Sequence, residues 1–159
     1  MTGPLGRGAG PSDADIRRAI SNAYYAVFHL LVMESTDLLC PPNLPRLATR
    51  FRRGFAHGGM KAVCVAVARG HSSMPPLFST LFPQPLDTAL TAVADAFETL
   101  QTDRHLADYD TTNPISLGSA QASVLTARRA IAAWQTIRGT DDAKIFLTAL
   151  PMHGNWQKN

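Results

Sequence analysis

The sequence predicts an all-α fold, an antiparallel bundle of four to five helices. Three observations point there. Apolar residues recur at helical spacing in four separate blocks, clusters of proline, glycine and capping residues divide those blocks, and no period-two alternation long enough for a strand occurs. The chain has 159 residues, 45% hydrophobic and 17% charged, with a mean hydropathy of −0.04, which is globular rather than disordered composition. A chain of this length buries enough surface to fold without a metal or disulfide staple.

The elements follow in order. Residues 1–11 are rich in glycine and proline and read as a disordered tail, without the apolar run of a signal peptide. Ser12 with Asp15 three residues on is a capping signature, so a helix starts near Asp13. Ile16, Ile20, Ala23, Val27, Leu30 and Leu31 form its stripe, and Cys40-Pro41-Pro42 ends it. A second block opens at Pro45 and carries Leu47, Phe51, Phe55, Ala62 and Val65 on one face, with a kink expected at Gly58-Gly59. It fades at Arg69-Gly70 into a connection punctuated by Pro75, Pro76, Pro83 and Pro85. The third block, Leu86 to about Asp108, repeats Leu86, Leu90, Val93, Phe97 and Leu100 at the seam spacing of a bundle helix. The fourth starts after Pro114, runs to about Arg138 and stops at Gly139; a short helix over 141–150 completes a bundle spanning 12–150, with a C-terminal tail over 151–159.

Charge and cysteine content narrow the function classes. The net charge of +3 and pI of about 9.2 are compatible with an anionic partner. Cys40 and Cys64 make neither a disulfide framework nor a zinc-type cluster, so a reducing cytoplasm is expected and no metal or cofactor is called for. No stretch approaches 18 apolar residues, so no membrane partner is expected.

Polar residues fall in three groups. On the first helix Arg18, Asn22, Tyr25 and His29 lie within about 60° of arc, with Ser21 at the border; Tyr and His favour half-buried places, so this face is expected to pack against something, either another helix of the same chain, a groove, or a second subunit for which it would be the interface. On the second block Arg46, Arg50, Arg53, His57 and Lys61 fall within about 80°, with no acid between Pro45 and Lys61. Such a row suits phosphates; a solvated face, or ion pairs with Asp95 and Glu98, would equally occupy it. At the end of the third block Arg104 and Asp108 continue the core stripe, where charges are costly unless paired, beside His105 and Tyr109. Arg104 is therefore expected to be partly buried, paired with Asp108 and close to Tyr25 and His29.

These residues carry a resemblance. The run Arg17-Arg18-Ala19-Ile20-Ser21-Asn22-Ala23-Tyr24-Tyr25-Ala26-Val27-Phe28-His29 resembles the first-helix signature of the HEPN superfamily, in its UPF0332-like branch. Arg104-His105-Leu106-Ala107-Asp108-Tyr109-Asp110 is similar to that branch's second motif, and Arg53-Gly54-Phe55-Ala56-His57-Gly58 to a weaker pattern between them. The resemblance implies a HEPN-type helical bundle, often a homodimer, from a family frequent in prokaryotic toxin–antitoxin and defence systems and often found beside a small nucleotidyltransferase partner. Catalytic relatives are metal-independent endoribonucleases with an R-x4-6-H motif near the end of the third helix, in which Arg and His from both subunits share a cleft and RNA is cut through its own 2′-hydroxyl. Here no histidine stands four to six residues after Arg104; Tyr109 and Asp110 occupy that stretch, and His105 follows Arg104 directly. The formal spacing Arg52 to His57 lies on the second block.

Three functions follow as expectations. The first is a nucleic-acid or nucleotide-binding module anchored by Arg104 and the second-block arginines. The second is a ribonuclease with Arg104 as the cation, Asp108 orienting a partner, and His105, His57 or His29 moving protons. The third is a structural dimerisation domain.

Overall fold

A computed structural model describes residues 10–156; all but the last two residues of the expected N-terminal tail lie outside them. The described residues are helical, with no strand among them. In chain order they form α1 (Asp13–Leu39), α2 (Pro45–Arg53), α3 (His57–Arg69), α4 (Pro76–Ser79), α5 (Thr88–Tyr109), α6 (Leu117–Ile137), α7 (Asp141–Ala149) and α8 (His153–Trp156).

Local chemistry sets the ends. The Asp15 N–H donates to Ser12 Oγ at 3.2 Å while the Ser12 N–H donates to the Asp15 carboxylate, a reciprocal cap on α1. Asp87, Ser116 and Thr140 cap α5, α6 and α7 without the reciprocal bond, each side chain accepting from backbone N–H of the first turn. Gly139 joins α6 to α7 at φ +85°, a conformation that side chains other than glycine's rarely adopt.

The second block differs from expectation. The break falls at 54–56, and Gly58 and Gly59 lie in the first turn of α3. Phe55 explains the position. Its ring is buried and meets Phe51 edge-on at 5.3 Å, so the chain turns at Gly54 to drive it inward and is extended at Ala56. Glycines in a first helical turn interrupt little, because the N–H groups there have no intrahelical partner anyway. Past Leu150, the chain makes a 3₁₀ turn over Leu150–Met152 and then α8. Pro151 is compatible with that turn because its missing N–H falls where none is needed.

Residues α1, α3, α5 and α6 contribute pack round one core, with α7 against the end of α1. Tyr24, Leu31, Met60, Leu90, Phe97, Leu100, Trp134 and Phe146 are fully buried in it. Ile20, Ala107 and Ala120 form a smaller cluster that brings the start of α1, the end of α5 and the start of α6 together. At the other end the Arg138 guanidinium meets the Glu34 carboxylate at 2.9 Å. Helix α5 therefore runs antiparallel to α1 and α6. That direction carries Arg104 and Asp108 to the level of Ser21, Tyr24 and Tyr25.

Candidate functional site

The site is built from the middle of α1, the start of α3 and the end of α5. Arg104 Nε donates to Asp108 Oδ2 at 2.8 Å, one turn along α5, and the Ser21 hydroxyl donates to Asp108 Oδ1 at 2.6 Å. The guanidinium carbon sits 5.6 Å from the Tyr24 ring centre and 5.2 Å from that of Tyr25, within cation–π reach of both. The Arg104 side chain is 19% exposed. Its remaining guanidinium N–H groups make no hydrogen bond to the described residues, so its charge is oriented but not saturated.

Tyr24 joins this cation to a histidine. Its hydroxyl and His57 Nδ1 lie 2.6 Å apart, and the His57 ring stacks on Phe28 with centroids 4.4 Å apart. His29 stacks on Tyr25 at 5.7 Å. Burial holds the His57 imidazole below its ordinary pKa, and the positive charges of Arg104 and His29 push the same way. Burial raises the Tyr24 phenol well above its usual range, so the hydroxyl stays protonated. Gln101 fixes the start of α3 from α5, its Nε2 donating to the His57 carbonyl at 3.3 Å.

The sign of the His57 shift gives a stability prediction. The unfolded chain takes up a proton near the ordinary imidazole value of about 6.5, while the folded chain takes it up only at lower pH. Full stability is therefore present above that value and declines as pH falls from it towards the folded pKa. Urea midpoints measured between about pH 5 and 7.5 should rise with pH in the native chain, and His57→Gln should flatten the rise. An unchanged slope in His57→Gln would assign the effect elsewhere.

The residues expected from sequence divide. Arg104, Asp108, Ser21, Tyr25 and His29 meet in one place, and His57 joins them from α3. Arg18 is exposed and reaches only Asp15, at 3.8 Å, and Asn22 faces outward. His105 and Tyr109 pair with each other at 4.8 Å on the exposed end of α5, with Tyr109 67% exposed.

The basic row is not continuous. Arg46, Arg50 and Arg53 lie on α2, exposed and without an ion pair among the described residues, whereas His57 and Lys61 lie beyond the break on α3. The break at 54–56 resets the helical phase, so the arc of about 80° for one uninterrupted helix does not hold. His57 turns inward to Tyr24, and Lys61 reaches Thr102 at 3.5 Å. The arginines do not pair with Asp95 or Glu98; Arg69 takes Glu98 at 3.5 Å.

Two contributors were not singled out from sequence. Tyr24 stands four residues after Ile20 and seven before Leu31, which places it on the buried stripe, and it is 0% exposed. Arg17 lies on the same stripe two turns before Tyr24. Its Nη1 donates to the carbonyls of Ala107 and Asp110 at 2.9 and 2.7 Å, its Nη2 donates to that of Asn113 at 2.8 Å, and its Nε meets Asp13 at 2.6 Å. A charged residue on an otherwise apolar stripe was the available signal for it.

Among the described residues no group of three or more His, Cys, Asp or Glu could hold a metal ion, and no helix is long and apolar enough to cross a membrane. Comparison with protein-family profiles, characterised proteins and solved structures finds no match to this chain.

Proposed function

We propose that this chain is a HEPN-like helical module that binds RNA or a nucleotide through a phosphate at the Arg104 face. The observation that carries the reading is the state of Arg104. Asp108 and two aromatic rings hold its guanidinium in place, and its outer N–H groups have no acceptor among the described residues. A planar cation oriented in this way suits a phosphate oxygen pair, and the exposed His29 stacked on Tyr25 offers a ring for a neighbouring base. The family resemblance supports the same reading. Ser21, Tyr24, Tyr25 and His29 come from the first motif and Arg104 and Asp108 from the second, and all six converge here.

Fluorescence anisotropy with a labelled single-stranded RNA, with nucleotides as competitors, tests it. Arg104→Ala should weaken binding by about tenfold or more while circular dichroism remains helical. Replacing Arg46, Arg50 and Arg53 together by Ala should flatten the salt dependence of binding. Unchanged RNA and nucleotide affinity in a folded Arg104→Ala protein would refute the reading.

His57 favours a second reading, a metal-independent ribonuclease. A histidine kept neutral by burial and by Arg104 is suited to accept a proton, and its Nε2 has no hydrogen-bond partner among the described residues. With the ring proton on Nδ1, directed at the Tyr24 oxygen, Nε2 presents a free lone pair. RNA cleavage that persists in EDTA and disappears in His57→Gln would favour this reading over binding alone.

A further inference from the structure

A groove of about 510 Å³ lies on the side of α3, well within the size range of small-molecule sites. We propose that it is a binding site for a small amphipathic anion, an apolar ring or short acyl body bearing one carboxylate or phosphate. The site is separate from the Arg104 face and does not depend on its function.

The groove exists because α3 presents small side chains there. Ala62 and Ala66 line it with short side chains, together with residues of the segment over 72–78. Val65, Met74, Pro75 and Phe78 give it apolar lining. Its polar rim is one-sided. Lys61 and Arg69 stand two turns apart on α3, about 12 Å along the axis, and Ser72, Ser73 and His153 complete it. Among the described residues no carboxylate lines the groove, so its charge complement is an anion.

Both cations are held loosely. Lys61 Nζ is 3.5 Å from the Thr102 hydroxyl, and Arg69, 61% exposed, meets Glu98 at 3.5 Å. Contacts of this length at a surface are worth little, so either head can turn to a ligand at small cost. The Ser72 and Ser73 hydroxyls make no hydrogen bond to the described residues and are free to donate as well. An apolar body on the apolar lining with its anionic head at either cation satisfies both halves of the groove.

Titration of the full chain with three probes sharing one ring tests the proposal: 1-naphthoate, 1-naphthyl phosphate and 1-naphthylmethylammonium. Calorimetry should show at least one of the two anions binding with one-to-one stoichiometry and about tenfold more tightly than the cation. Methyl NMR should place the shifts at Met74, Ala62 and Ala66. Comparison of the two anions identifies the preferred head group. Lys61→Gln combined with Arg69→Gln should remove most of the anion's advantage and leave the cation unaffected. Ala66→Trp should block both by filling the groove. Equal binding of anion and cation, no binding of either anion, shifts outside the groove, or anion binding untouched by the double glutamine variant would each overturn it.

Discussion

Arg17→Ala should cost about 3 kcal/mol of stability, a fall in Tm of roughly 6–12 °C for a chain of this size. The reason lies in what the guanidinium joins. It emerges from the first turns of α1, is 15% exposed, and donates to three carbonyls at and just beyond the end of α5. The last carbonyls of a helix have no intrahelical donor, so the Ala107 carbonyl and the loop carbonyls of Asp110 and Asn113 rely on this one side chain. A cation there also meets the negative end of the α5 dipole. Alanine removes the donor and leaves part-buried acceptors unsatisfied. Arg17→Lys should recover only part of the loss, because an ammonium cannot spread across three acceptors and still reach Asp13. Urea denaturation measures both variants, and hydrogen exchange should show the amides over 107–113 opening earlier than those of the core. A loss below about 1 kcal/mol for Arg17→Ala would show that water replaces the guanidinium at little cost.

Tyr24→Ala should cost about 3–5 kcal/mol, the range for deleting a large buried aromatic. The ring is 0% exposed and lies 5.5 Å from Phe97, 5.8 Å from Phe28 and 5.3 Å from Tyr25, centre to centre. The cavity would open beneath Arg104 and beside His57, so the cation loses one aromatic support and the imidazole its partner. Tyr24→Phe isolates the hydroxyl. It keeps the packing and the face offered to Arg104, so its cost should be about 1 kcal/mol, that of one hydrogen bond to a group water can partly reach. If the Arg104 face binds phosphate, Tyr24→Phe should retain affinity. If His57 moves protons in RNA cleavage, Tyr24→Phe should lower the rate with little change in binding. Near-equal stability of the alanine and phenylalanine variants would show that the site does not rest on this ring.

Most helix ends and the core stripes of the first and third blocks were legible without coordinates, whereas on the second block Leu47 is exposed, Ala62 and Val65 line a groove, and Met60, Val63, Cys64 and Val67 fill the core instead. Ser12 with Asp15, the Cys40-Pro41-Pro42 stop and Gly139 act through hydrogen bonds and torsions within a few residues of themselves, so local spacing is enough to place them. The pairing of Arg104 with Asp108 was legible for the same reason, being one turn of one helix. Beyond that range the tertiary structure decided. The second block breaks at 54–56 rather than at its paired glycines because Phe55 has a buried place to fill, and a burial site is a property of the neighbouring helices. That break divides the basic row and turns His57 away from the arginines towards Tyr24 on another helix. Arg17 finds its three carbonyls only because α5 runs antiparallel to α1 and ends beside it. Periodicity fixes the face on which a side chain lies; only the packing of helices distant in sequence determines what that face meets.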